Sequence, residues 1–238
     1  LMKKDVIIAC DFPSKKDVMD FLNLFGQEKP FVKIGMELFY AEGPDIVRDI
    51  KEKGHKIFLD LKLHDIPNTV ERAMRSLSLL DVDMVNLHTS GTVKMMQAAL
   101  KGLTREDGTR PLLIGVTQLT STNESELHEQ LMINSSMDNT VLHYAKLAVT
   151  AGIDGVVCSP LEAEKVKNAC GKSFVTVTPG IRFKHSRQDD QSRITTPYQA
   201  SKIGCDFIVV GRPITQSDDP VGVYRRCIEE FVYGKETQ

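Results

Sequence analysis

Eight short runs of β-favouring apolar residues recur along this chain, and each is followed by a stretch with helical periodicity. The runs cover residues 6–11, 31–34, 56–62, 84–88, 112–118, 155–158, 174–178 and 207–210. The amphipathic stretches cover residues 15–25, 43–53, 68–80, 93–103, 139–151, 161–170, 197–203 and 221–232. Strands that alternate with helices pair in parallel, because each helix carries the chain back to start the next strand in the same direction. Eight such units, with no linker or low-complexity segment between them, predict a single-domain (β/α)8 TIM barrel over residues 1–238, close to the usual size of that fold. An open doubly wound sheet is the alternative, and no convincing sequence repeat separates the two.

Composition narrows the function. A hydrophobic fraction of 41% and a charged fraction of 26% suit a soluble globule. A net charge of -2 gives no electrostatic reason to expect nucleic acid or a membrane as partner. No run approaches the roughly 20 apolar residues of a membrane span. No signal-like segment opens the sequence, in which Leu1 precedes Met2 as if at an alternative start. Cys10, Cys158, Cys170, Cys205 and Cys227 are odd in number and form no C-x-x-C pair, so they read as reduced thiols in a cytoplasmic protein. An anionic small ligand would need a local cluster of donors.

The strand ends supply such clusters. In Lys56-Ile-Phe-Leu-Asp-Leu-Lys-Leu-His-Asp65, alternation puts Ile57, Leu59 and Leu61 on the face under the helices. Phe58, Asp60 and Lys62 then point into the barrel. Opposite charges there are costly to bury unless paired. Asp65 follows just past the strand, giving a carboxylate–ammonium–carboxylate group near the mouth. A plain structural salt bridge is the bland reading. Asp11 at the end of the first run and Lys33 near the end of the second weigh against it, because charges on three successive strand ends converge on one mouth. A lysine between two carboxylates stays protonated and serves as a general acid rather than a nucleophile. Lys62 therefore reads as a proton donor to a carbanion, held by Asp60 and Asp65.

Two further segments carry signals. Residues 181–195 follow the seventh run and are basic, with Arg182, Lys184, His185, Arg187 and Arg193, so they read either as a solvated loop or as an anion-gripping lid. Residues 120–138 are also long for a connection and are expected to hold a short helix. After the eighth run, Gly211-Arg212 suits a phosphate, since glycine admits close backbone approach and arginine grips two oxygens as a fork. The histidines form no familiar metal spacing, and neither a metal nor a cofactor is expected. His64 alternates away from Lys62 and reads as a packing residue, while His88 ends the fourth run with no assigned role.

These residues carry a resemblance. Ile8-Ala-Cys-Asp11, Val32-Lys-Ile-Gly35, Asp60-Leu-Lys-Leu-His-Asp-Ile-Pro-Asn-Thr69, Val116-Thr-Gln-Leu-Thr120, Thr178-Pro-Gly-Ile-Arg182 and Val210-Gly-Arg-Pro213 occur in this order. Through them the chain resembles the bacterial orotidine 5′-phosphate decarboxylases across essentially its whole length. D-x-K-x-x-D alone spans a wider superfamily, whereas H-D-I-P-N-T and T-P-G-I-R are more specific.

The resemblance implies a cofactor-free enzyme of pyrimidine biosynthesis that makes uridine 5′-phosphate, working as a homodimer with sites shared between subunits. It implies that Lys62 protonates C6 as CO2 leaves, with Asp60 beside the substrate carboxylate. Asp65, Ile66 and Thr69 would reach the partner's site. Asp11 and Lys33 would bind ribose hydroxyls, with Lys33 also counted among the catalytic charges beside Lys62, Asp60 and Asp65, and Thr120 would meet the pyrimidine edge. Gln191, Gly211 and Arg212 would hold the phosphate, with Arg182 nearby. Two rivals remain: a Mg2+-dependent sugar-phosphate decarboxylase or aldolase of the same superfamily, for which Glu37 is the available acidic ligand, and a non-catalytic barrel that only binds a phosphate ligand.

Overall fold

The computed structural model describes residues 4–183 and 195–237. Eight parallel strands close into a barrel in sequence order: β1 (Asp5–Ala9), β2 (Phe31–Gly35), β3 (Ile57–Leu63), β4 (Met84–His88), β5 (Leu112–Val116), β6 (Gly155–Val157), β7 (Val175–Thr178) and β8 (Phe207–Val210). The ring is shut by β8 against β1, with Ile7 opposite Val209. This settles the choice between barrel and open sheet.

The outer helices are α1 (Lys15–Asn23), α2 (Met36–Glu42), α3 (Asp45–Glu52), α4 (Pro67–Ser78), α5 (Thr92–Leu103), α6 (Met137–Ala151), α7 (Pro160–Cys170), α8 (Pro197–Ile203), α9 (Arg212–Thr215) and α10 (Pro220–Phe231). Two differ from the sequence expectation. The sequence shows one helix from residue 43, but Gly43 has φ 70° and ends an earlier helix, α2, so that α3 starts only after Pro44. The Gly-Arg turn is itself the start of a one-turn helix, α9. The long 120–138 connection does contain a short helical turn, Glu126–Gln130.

Alternation along the strands builds two cores. Ile7, Phe31, Phe58, Met84, Ile114, Val177 and Phe207 fill the barrel interior. Val6, Ile8, Ile57, Leu59, Val85 and Ile208 pack outward against the helices. Buried on both faces, the strands read as near-continuous apolar runs. The α4–α5 pair packs closely at Gly102, where an added Cβ would come within 2.0 Å of the Glu71 carbonyl oxygen.

The N-terminal end of the barrel is fastened by a repeated device. Asp83, Asp154 and Asp206 each stand immediately before an even-numbered strand. Asp83 Oδ2 accepts the N–H of Ile57 at 2.8 Å and Lys51 Nζ at 3.0 Å. Asp154 accepts the N–H of Leu113 at 2.7 Å and Arg110 at 2.9 Å. Asp206 accepts the N–H of Thr176 at 2.8 Å and is paired with Lys167. Each carboxylate thus clasps the start of the preceding odd strand and takes a cation from outside the sheet. The corresponding place before β2 is Pro30, which has no such group.

Asp154→Ala should strip the Leu113 N–H of its acceptor and cost about 1–3 kcal/mol. The urea midpoint should fall while any activity of the folded fraction stays at wild-type level, because the charged cluster expected at the C-terminal strand ends lies at the opposite end of the barrel.

Candidate active site

At the C-terminal end of the strands the inward-facing charges form one line. Asp11, just beyond β1, accepts Lys33 Nζ of β2 at 2.8 Å. Lys33 Nζ lies 3.4 Å from Asp60 Oδ2 of β3. Asp60 Oδ1 in turn accepts Lys62 Nζ at 2.6 Å. The sign alternates along Asp11–Lys33–Asp60–Lys62, so every buried charge has an opposite neighbour. Gly35 makes the first link possible, since a Cβ there would stand 2.9 Å from Asp11 Oδ1 and 3.1 Å from Lys33 Nζ.

Burial and charge oppose one another at the centre of this line. Burial alone would push the Lys33 pKa down, but the carboxylates of Asp60 and then Asp11 outweigh it, and the net shift is upward. Burial would raise the Asp60 pKa. The ammonium groups of Lys33 and Lys62, with hydrogen bonds from Lys62 and Asn86, bring it below its ordinary value. At neutral pH both groups are ionised. For His88, burial, then the neighbouring His64 and Lys62, hold the pKa low. Its ring lies 5.7 Å from that of His64.

The backbone at Lys62 is unusual. Its φ of 51° is left-handed, which a non-glycine residue adopts at a cost of roughly 1–3 kcal/mol. The strand pairing shifts at the same point: Leu59 is opposite Val85, yet Leu63 is opposite Leu87. Such bulges re-aim side chains next to functional sites.

A cavity opens above these charges. Phe58, Val116, Val157, Val177 and Val209 give it an apolar floor. Lys33, Asp60, Lys62 and Asn86 form its polar wall, and Gln118, Leu119, Thr120 and Pro179 stand around it. The cavity thus sets an apolar surface beside the Lys62 ammonium.

The sequence-based site residues divide into groups. Asp11, Lys33, Asp60, Lys62 and Thr120 come together in the mouth. Gly211 and Arg212 directly follow β8, and Arg182 follows β7, buried, its N–H donating to the Thr195 carbonyl at 3.1 Å. Asp65 does not flank Lys62 within its own chain. It is exposed, and among the described residues it accepts only the N–H of Ile66, at 2.6 Å. Ile66 is 66% exposed, and Thr69 is exposed as well. The second neighbour of Asp60 is Lys33, expected from the sequence both among the catalytic charges and at the sugar. Gln191, with Lys184, His185, Arg187 and Arg193, lies outside the described residues.

Glu37 stands exposed in the first turn of α2. Among the described residues no group of three or more His, Cys, Asp or Glu side chains is placed to hold a metal ion.

The comparisons with known proteins agree with this geometry. The profile of the orotidine 5′-phosphate decarboxylase / HUMPS family matches residues 4–227. The chain belongs to that family. An orotidine 5′-phosphate decarboxylase of a Geobacillus species is 53% identical over 233 residues, covering 97% of this chain and 98% of the relative. One from Bacillus cytotoxicus is 55% identical over the same length and shares. Among solved structures, the orotidine 5′-phosphate decarboxylase of Lactobacillus acidophilus superposes with a TM-score of 0.87 at 39% identity, covering 96% of this chain and 99% of that one. An uncharacterized conserved protein from Geobacillus kaustophilus gives 0.85 at 48% identity, covering 95% and 99%.

Proposed function

We propose that this chain decarboxylates orotidine 5′-phosphate to uridine 5′-phosphate, as a cofactor-free cytoplasmic homodimer in which residues 1–238 form one domain. The observation that carries the reading is the alternating line Asp11–Lys33–Asp60–Lys62 beside an apolar floor, in a chain at least half identical to proteins of that name. Among the described residues no helix is long and apolar enough to cross a membrane, and no nucleic-acid or membrane partner enters this reading.

The chemistry follows from the charges. The C6–carboxylate bond breaks, CO2 departs, and the electron pair stays on C6 in the ring plane, where no adjacent group can delocalise it. Lys62 gives its proton to that carbon and is reprotonated from solvent. An ammonium already aimed at C6 stabilises the developing negative charge without reorganising when the bond breaks. Asp60 has two duties: it holds Lys62 at 2.6 Å, and it stands where the substrate carboxylate must sit, so that loss of CO2 relieves a repulsion between like charges. Lys33 and Asp11 bind the ribose hydroxyls, and Thr120 the pyrimidine edge. Arg182, Gln191, Gly211 and Arg212 take the phosphate, whose distant binding energy raises the rate only where it is used to organise the site. Asp65, Ile66 and Thr69 act in the partner's site.

The direct test is loss of pyrimidine absorbance on mixing the protein with orotidine 5′-phosphate. Turnover unaffected by EDTA is expected. No loss of absorbance would leave a barrel that only binds phosphate ligands. Turnover abolished by EDTA and restored by Mg2+ would favour the sugar-phosphate branch of the family.

A further inference from the structure

Asn86 was not singled out by sequence reasoning, yet it touches both groups on which the proposed chemistry depends. It lies on β4, two residues after Met84, and therefore faces the barrel interior, with 1% of its surface exposed. Its Oδ1 accepts the backbone N–H of Lys62 at 2.8 Å. Its Nδ2 donates to Asp60 Oδ1 at 2.6 Å. An N–H can only donate and an ionised carboxylate can only accept, so the two partners together fix which way the amide points.

The position of these bonds in the sheet gives them their consequence. Between the paired positions Leu59↔Val85 and Leu63↔Leu87, β3 advances four residues while β4 advances two. Asn86 is the β4 residue in the middle of that interval. In an unbulged strand, Asp60 and Lys62 would stand about 6.6 Å apart along the axis, each opposite a different partner residue. Here both bond to the one residue Asn86. The N–H of the left-handed Lys62 finds its acceptor in the Asn86 side chain.

We propose that Asn86 is a positioning residue for the reaction: its amide pins the bulge of β3 and so sets where the Lys62 ammonium and the Asp60 carboxylate stand relative to the substrate. The inference rests on the reading of Lys62 as proton donor. It assigns Asn86 no contact with substrate. It also explains why asparagine is suited to the position. Leucine of similar size offers neither donor nor acceptor, and an ionised aspartate would set a carboxylate against Asp60.

The test compares wild type, Lys62→Ala, Asn86→Leu and Asn86→Asp for kcat on orotidine 5′-phosphate, affinity for uridine 5′-phosphate, and melting temperature. Asn86→Leu should lower kcat by about 100-fold, the scale of a misplacement near 1 Å, with nucleotide affinity changed far less. A folded Asn86→Leu protein with wild-type kcat, or with a loss confined to affinity or melting temperature, overturns the proposal.

Asn86→Asp carries a separate signature. Only the protonated form of the introduced carboxyl can donate to Asp60 while accepting from Lys62. The ratio of its kcat to that of wild type should therefore rise as pH falls from about 9 to about 5. The charged and titratable groups facing that point are Asp60 and Lys62 of β3, Lys33 of β2, Asp11 beyond β1, and His88 with His64 against it. All are shared with wild type, so the ratio isolates the new carboxyl. A ratio that does not change with pH overturns the proposal, and this arm decides alone if Asn86→Leu does not fold. If Lys62→Ala retains full kcat, the reading of Lys62 is what has failed. If Lys62→Ala is inactive and Asn86→Leu is not impaired, only the role of Asn86 has.

Discussion

Lys62→Ala should leave a folded barrel that still binds uridine 5′-phosphate but has lost at least about ten-thousand-fold in kcat, at the upper end of what a positioned general acid supplies. The loss should exceed a proton-transfer effect because, in the proposed reaction, the same ammonium also faces the forming carbanion. The fold should tolerate the change. Lys62 is only partly buried, and Asp60 keeps Lys33 at 3.4 Å and the Asn86 amide at 2.6 Å, so its carboxylate is not left uncompensated. Removing a left-handed non-glycine side chain does not relieve the backbone, since alanine also carries a Cβ. Steady-state kinetics with the pure variant, alongside titration with the product nucleotide, checks both halves of the expectation. Turnover within tenfold of wild type would end the proton-donor assignment.

Mixing two dead proteins should restore activity. Asp65 is exposed and makes no bond to Lys62 of its own chain, and Ile66 beside it leaves 66% of its surface uncovered. An acid and an aliphatic side chain presented together at the strand–helix corner suit insertion into a second copy of the site. If Asp65 acts there, Lys62→Ala and Asp65→Ala homodimers should each be nearly inactive. In a heterodimer, one site collects both defects and the other has none. By two-fold symmetry up to about half the sites of each heterodimer then work. Activity should appear with the kinetics of subunit exchange, reach a plateau, and depend on protein concentration. Proven exchange with no regained turnover would place Asp65 in its own subunit's site or in no site.

Much of this was legible before any coordinates. Phe58 inside and Ile57 and Leu59 outside follow from period two, and their burial agrees. That alternation also brought Asp60 and Lys62 to one face. It failed to show that Lys62 lies in a bulge, because a register shift depends on the neighbouring strand and leaves no local mark on β3. Asn86 was hidden for a related reason. A polar residue in Met84-Val-Asn-Leu-His88 signals an inward-facing group, but its meaning depends on two residues more than twenty positions earlier. The clasping aspartates were within reach. Val82-Asp-Met-Val85, Ile153-Asp-Gly-Val156 and Cys205-Asp-Phe-Ile208 are short echoes of one another at the entries to β4, β6 and β8. They span too few residues to stand out as a repeat until the shared partner, an odd-strand N–H, is seen. The pairing of Asp65 with Lys62 was misjudged within one chain because linear proximity says nothing about which way a strand–helix corner turns.

Closure of the ring between its first and last strands has a consequence for how the protein comes into being. β1 leaves the ribosome well before its second neighbour, β8, which ends only at Val210. Until β8 emerges, one side of β1 is therefore an open edge, with the backbone groups of Asp5–Ile8 free to pair with other chains. The groups assigned to the substrate straddle that same junction, Asp11 beyond β1 on one side and Arg212 after β8 on the other. A nascent chain holding Lys62, Asp60 and Lys33 in place would still lack the wall proposed to receive the phosphate. On the proposed assignment the site is completed only when β8 closes the ring, and the interval before that is when the polypeptide most needs protection from its own kind.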